Sequence, residues 1–131
     1  MVGITNLEEL LKSMSPQISS VDYVFCTVEG ELADYMDINP LASFMEPEGL
    51  TLILSVPEAD KAQFLYDNTF KQITLTVHSS LAAIGLTAAV ASKLSSYEIS
   101  ANVVAAYYHD HIFVPSDKAD QALKALKEFQ L

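Results

Sequence analysis

The side chains with which this sequence could do chemistry stand at three places: His78 with Ser79 and Ser80, Asn102, and His109 with Asp110 and His111. A serine beside a histidine is the raw material of nucleophilic catalysis, but it needs a strained turn that projects the hydroxyl and a third group that orients the base. Neither Ser79 nor Ser80 sits in such a turn signature, and the chain has no glycine-rich phosphate loop and no carboxylates paired for acid–base work. A hydrolase using Ser80 and His78 is therefore the most distant reading. The expectation is a protein that is not an enzyme and uses no cofactor. His109 and His111 alternate, so on an extended strand they point the same way, and His78 could join them on a metal. In the competing reading His109 and Asp110 make a hairpin turn, because aspartate tolerates the left-handed backbone that a tight turn requires. We expect the turn and no metal.

What remains is binding by the backbone. An apolar strand over residues 73–77 breaks into the polar loop His78-Ser79-Ser80, and Gly85 opens a small-residue helix over 86–94. A strand that runs through such a loop into a helix aims unpaired N–H groups at one point, where the positive end of the helix dipole adds to them. The chain contains no arginine, so a bound carboxylate must be held by backbone, hydroxyls or a lysine. Two readings of Gly85 stay open, close approach of a ligand and close packing of the helix. Ser79 and Ser80 could equally cap a helical turn that begins at Leu81. Asn102 lies in an otherwise apolar strand, where a carboxamide needs a partner if buried; a ligand or a backbone group across the sheet could supply one.

Composition narrows the partners. With 131 residues the chain suits one domain or two very small units sharing a core, and half its residues are hydrophobic. No apolar run approaches the ~20 residues of a membrane-spanning helix, and the N-terminus opens on an amphipathic pattern, so a cytoplasmic protein is expected. The formal charge of −10 without arginine excludes a nucleic-acid footprint and disfavours an anionic membrane surface. Twelve of the 17 acids fall before residue 72, and the rest of the chain is nearly neutral. The acids at 29–37 read as a solvated loop. Cys26, the single cysteine, lies in an apolar alternation and reads as a buried structural thiol.

The elements follow from periodicity and punctuation. A helix over residues 7–14, with Thr5 or Asn6 as cap, ends at Pro16. A strand at 22–28, an extended piece at 41–45 and a strand at 50–56 precede a helix from Pro57 to about Tyr66. Residues 67–69 mark the boundary between units 1–68 and 69–131. Beyond it come the strand at 73–77 and a helix presenting Ile84, Ala88, Ala91 and Leu94. A strand at 99–107 with both faces covered and a strand at 112–114 follow, Tyr107 and Tyr108 straddling the sheet. The final helix starts at the cap Ser116 and carries Ala119, Leu123 and Leu126 inward. The order β-α-β-β-α lacks only the last strand of a ferredoxin-like βαββαβ unit, and the first half has an element order that a decayed or permuted copy would have. The missing edge strand must come from the other half, an extended chain end or a second protomer.

Residues 76–90, from Thr76 through His78, Ser79, Ser80 and Gly85 to Val90, together with 99–104 and 107–115, resemble an ACT domain, the small-molecule regulatory module of amino-acid metabolism. Glu48-Gly49-Leu50-Thr51 extends the likeness into the first half, so the whole is similar to small stand-alone bacterial proteins with tandem ACT-like units and to the aspartokinase regulatory region. The resemblance implies an α+β fold of two ACT-like units with antiparallel sheets and helices on one face. It also implies an effector, commonly an amino acid, held by the loop after the first strand, the glycine opening the first helix and the start of the second strand. By position those are His78, Ser79 and Ser80, then Ile84, Gly85 and Leu86, then Asn102 and Val103. The Pro-Gly pair that opens many ACT loops is replaced by a longer segment from Ser79 to Gly85. The function implied is binding of an amino acid or similar metabolite by a homodimer, coupled to self-association or to a regulated enzyme. The alternative is a ligand-free dimerisation module.

Overall fold

The computed structural model describes residues 6–76 and 85–130. Its packing divides the chain into two compact units, one of Met1–Ser20 with Lys71–Leu131, the other of Val21–Phe70. The first unit opens with helix α1 (Leu7–Ser13), whose cap is Asn6: its side chain accepts the Glu9 N–H at 3.0 Å. Glu8 and Glu9 in the first turn and Lys12 in the last suit the helix dipole, while Leu10 and Met14 are fully buried. Strand β1 (Pro16–Val28) follows at once, six residues earlier than the apolar pattern suggests. The polar run Gln17, Ser19 and Ser20 hides it, because these residues are held by pairing and not by burial. Ser15 O accepts the Thr76 N–H at 3.3 Å, and Ser19 Oγ accepts the Gln72 N–H at 3.0 Å. Numbering climbs on one strand as it falls on the other, the mark of an antiparallel pair.

The unit continues with β4 (Phe70–Leu75), α3 (Leu86–Ser96), β5 (Asn102–Ala105), β6 (Asp110–Pro115) and α4 (Ala119–Lys127). Its strands lie in the order β1-β4-β6-β5. Of the three sources open for the missing ferredoxin-like strand, the extended segment after α1 supplies it. One face of the sheet, with Ile73 and Leu75 of β4 and Ile112 and Val114 of β6, packs against α1, α3 and α4. On α3 the buried stripe is Leu86, Val90 and Leu94, a four-residue repeat. Ala88, expected on that stripe, is exposed, and Ala91 is half-buried. On α4 the buried residues include Ala122, Ala125 and Leu126, whereas Leu123 is only half-buried. Ser116 does not cap α4; it begins a 3-10 turn, Ser116–Lys118, that precedes the helix. At the far ends of the two helices, Lys93 pairs with Glu128 at 2.9 Å and the Tyr97 hydroxyl donates to the same carboxylate at 2.5 Å. These side chains are partly exposed, so solvent screens the ion pair and it adds little to stability.

Three expectations fail at the β5–β6 hairpin. Strand β5 is four residues long and ends the strand order, because a run of small apolar residues does not by itself distinguish a covered strand from an edge. The turn lies two residues earlier than His109-Asp110, closed by the Ala106 N–H on His109 O at 3.1 Å. Tyr107 and Tyr108 do not straddle the sheet; both are exposed at the tip, their rings edge-to-face at 5.0 Å. Asp110 therefore belongs to β6, not to the turn.

In the second unit the strand order is β2-β3-β1, with β2 (Ala42–Glu46) and β3 (Gly49–Ser55) antiparallel, as are β3 and β1. Cys26 pairs with Leu52 in register, and both face a core with Val24, Leu50, Leu54 and Ala59. Burial pushes the Cys26 thiol up, which keeps it protonated and inert. The acidic stretch is not a loop but a 3-10 helix, Leu32–Ile38. Asp34 closes its start by accepting the Glu31 N–H at 3.0 Å. Helix α2 (Val56–Lys61) takes Ser55 as its cap and stops five residues before Tyr66, where Gln63 adopts φ 60°. The element order strand, helix, strand, strand, helix thus occurs twice along the chain.

Candidate functional site

Gly85 sets where α3 begins. Its φ of 96° lies in the left-handed region, and its carbonyl accepts the Ala89 N–H at 2.9 Å, the first helical bond. A side chain there would suffer strain, which is one reason for glycine. The second is packing: a Cβ at position 85 would stand 3.0 Å from Leu7 Cδ2 of α1. The space beside Gly85 is thus taken by the protein's own first helix, and packing explains the residue without a ligand. His78, Ser79, Ser80 and Ile84 lie outside the described residues.

Leu86 and Val103, two of the expected site residues, do come together. They line a narrow apolar cleft with Leu75, Thr87, Val90, Asp110 and Ile112, whose crevices are too thin for a free water. The first turns of α3 form one wall, the edge strand β5 another, and β4 and β6 the floor. Asn102 is not part of it. Strand alternation turns it away from Val103, it is exposed, and its Nδ2 donates to Phe113 O at 3.3 Å across the hairpin. The backbone partner is the one the carboxamide has. Replacing Asn102 with alanine is expected to change stability by no more than about 1 kcal/mol, measured by chemical denaturation, because the bond is long and the residue itself is exposed.

Asp110 is the charged residue of the cleft, and assigning it to the turn hid this role. Burial pushes its carboxyl above the ordinary carboxylate range, opposed by the charges of His111 and His109. Next to it, His111 faces the other side of the sheet, its Nδ1 2.9 Å from Gln72 Nε2 and 3.0 Å from Thr74 Oγ1. An amide nitrogen can only donate, so Nδ1 is an acceptor and the ring proton sits on Nε2. Burial, and then His109, lower the His111 pKa, with Asp110 opposing. A histidine whose folded pKa is lowered stabilises the fold fully above its unfolded value of 6.5 and loses that contribution as pH falls toward the folded value. Acidification from pH 7 to 5 should therefore destabilise the protein, and His111→Gln should flatten that part of the profile, followed by thermal unfolding across the range. An unchanged profile in the variant would reject the assignment. Among the described residues no three of His, Cys, Asp and Glu gather as a metal site.

Comparison with known proteins gives the cleft a context. Two protein-family models, each described as an ACT domain, match residues 2–71 and 69–128. A crystal structure of a Vibrio cholerae protein of unknown function, described as a possible transport protein, superposes with a TM-score of 0.89 at 58% identity, covering 95% of this chain and 96% of that one. The ligand-free regulatory subunit of aspartate kinase from Thermus thermophilus superposes with a TM-score of 0.67 at 8% identity, covering 90% of this chain and 97% of that one. An Agrobacterium tumefaciens protein gives a TM-score of 0.75 at 15% identity, with 89% of each chain covered. At such low identities the last two speak for the fold alone. Among proteins with curated descriptions, none matches.

Proposed function

The chain belongs to the ACT-domain family, and from that premise we propose that it is a non-enzymatic regulatory protein that binds a small metabolite, an amino acid before other classes. The observation that carries the reading is the cleft under α3, where Leu86, directly after the left-handed Gly85, faces Val103 of β5. These are the positions at which the sequence resemblance puts an effector. The cleft is too thin for a free water, so a ligand enters it only if β5 and α3 move apart. Binding acts on the rest of the molecule through α3, whose buried stripe is shared with α1 and α4. The sequence resemblance assigns His78, Ser79, Ser80 and Ile84 to the same proposed site and 1–68 and 69–131 to the two ACT-like repeats of the sequence, while in the fold Met1–Ser20 pack with Lys71–Leu131. A thermal-shift screen of the common amino acids tests the proposal. A ligand at 100 times its Kd stabilises by about 2.7 kcal/mol, and the absence of any shift at millimolar concentrations would count against it.

A second reading, a ligand-free association module, draws support from one surface. On β2, which ends the strand order, Phe44 is 71% and Met45 61% exposed. Large apolar side chains on an open strand edge favour pairing with another chain. Both readings share a homodimer, so light scattering is expected to give about twice 14.3 kDa at micromolar concentration. A mass of 14.3 kDa would remove the homodimer from both.

A further inference from the structure

The negative charge of the chain belongs almost wholly to its second unit. Val21–Phe70 holds ten acids and one lysine, Lys61, whereas the first unit holds seven acids and six lysines, so nine of the ten net negative charges fall on the smaller unit. The same unit carries the edge strand β2, where Phe44 and Met45 are exposed and strand alternation turns them to opposite faces. Edges are commonly protected by a lysine or a proline within the strand, and Ala42–Glu46 has neither. Pro40 and Pro47 stand just outside it; having no N–H to offer, they confine further pairing to these five residues. Carboxylates accompany the same row: Asp37 precedes it, Glu46 ends it and Glu48 follows in the turn, all exposed. The Thr51 hydroxyl donates to Glu46 Oε1 at 2.5 Å, which holds that carboxylate on the face that carries Phe44.

We propose that β2 accepts, as an added strand, a short extended segment of a different protein, one with a run of apolar β-branched residues flanked by lysines or arginines. This rests on the association reading above and gives it a partner; the small-metabolite reading is independent of it. Backbone bonds to the added strand supply affinity, and Phe44 and Met45 cover its apolar side chains, one on each face. Charge selects the occupant. Two β2 edges laid together would set nine net negative charges against nine, with the Glu46 of each chain in one ribbon, whereas a basic segment meets the opposite sign. The homodimer of both readings then uses another surface. The partner segment is short because the prolines leave room for no more than the length of β2, and its flanking cations fall where Asp37, Glu46 and Glu48 lie.

The test is calorimetric titration of the full chain with the end-capped peptide Lys-Lys-Val-Ile-Val-Lys-Lys, with its counterpart in which glutamates replace the lysines, and with the basic peptide N-methylated at its valines and isoleucine, which has lost the central N–H donors of both its edges. Wild-type protein is expected to bind the basic peptide, more weakly as salt rises, and neither of the other two. Phe44→Ser together with Met45→Ser should weaken that binding roughly tenfold or more, and Glu46→Gln together with Glu48→Gln should weaken it several-fold and flatten its salt dependence. All four side chains are exposed, so thermal unfolding of both double variants should match wild type, and light scattering should give one mass for all three proteins. Equal binding of the basic peptide by wild type and the folded Phe44→Ser, Met45→Ser protein overturns the inference, as does binding of the acidic or the N-methylated peptide as tight as that of the basic one. A smaller mass for the Phe44→Ser, Met45→Ser protein than for wild type gives the edge to a second copy; it overturns the inference and leaves the association reading standing. No peptide binding with an unchanged mass overturns both.

Discussion

Replacing Gly85 with valine is expected to destabilise the fold by about 2–4 kcal/mol, through two separable costs. The first is backbone strain. At φ 96° a β-branched residue loses about 1–2 kcal/mol for the left-handed conformation alone, and α3 cannot begin elsewhere without disturbing the Gly85 O to Ala89 N–H bond. The second is contact, since the new Cβ would press on Leu7 Cδ2 at 3.0 Å and its methyls would force that side chain aside. Urea denaturation separates the two. In a Leu7→Ala background the valine should cost less, because the contact is gone while the strain remains, and Gly85→Asn should cost less than valine because asparagine tolerates the left-handed region. A Gly85→Val protein as stable as wild type would mean that α3 does not start at a left-handed residue packed under α1.

An equally large effect is expected in the core that holds the cleft's helix in place. Leu94 is fully buried at the end of α3, and its carbonyl accepts both the Tyr97 and Ile99 N–H groups at 3.0 Å. Truncation to alanine removes aliphatic area and leaves a void in the core that Leu94 shares with Ile73, Val114 and Leu126, all 0% exposed, so a cost of about 2–5 kcal/mol follows. That is a large share of the 5–15 kcal/mol by which domains are stable. Leu65, 92% exposed, is the control: its alanine variant should stay within about 0.5 kcal/mol of wild type. If both leucines cost the same, the assignment of Leu94 to the core is wrong.

These two residues also show what could be read in advance. Gly85 as the opening of a helix was legible, since a glycine between an apolar strand and a small-residue run carries a local signal. That Leu7, 78 positions earlier, fills the space beside it was not, because a contact between distant helices leaves no mark in either segment. The element order was largely legible for the same local reason: Pro16, Pro57 and Pro115 mark where elements stop and start. The first residues of β1 were hidden because a strand held by backbone pairing can carry Gln17, Ser19 and Ser20 without an apolar alternation. Asp110 was hidden because aspartate beside two histidines reads equally well as a turn, and only the placement of the turn at 106–109 moves it into the cleft. Leu86 and Val103 were found through resemblance by position. Asn102, found the same way, falls on the opposite side of its strand.

The most direct test of the central claim, that a small metabolite binds under α3, is a backbone amide NMR titration of the full chain with the amino acid giving the largest thermal shift. The account predicts saturable shifts concentrated on Leu86, Thr87, Val90, Val103 and Ile112, with the β2 residues Phe44 and Met45 unmoved. Saturation with shifts confined to β2, or no saturable shift at all with any amino acid, would contradict it.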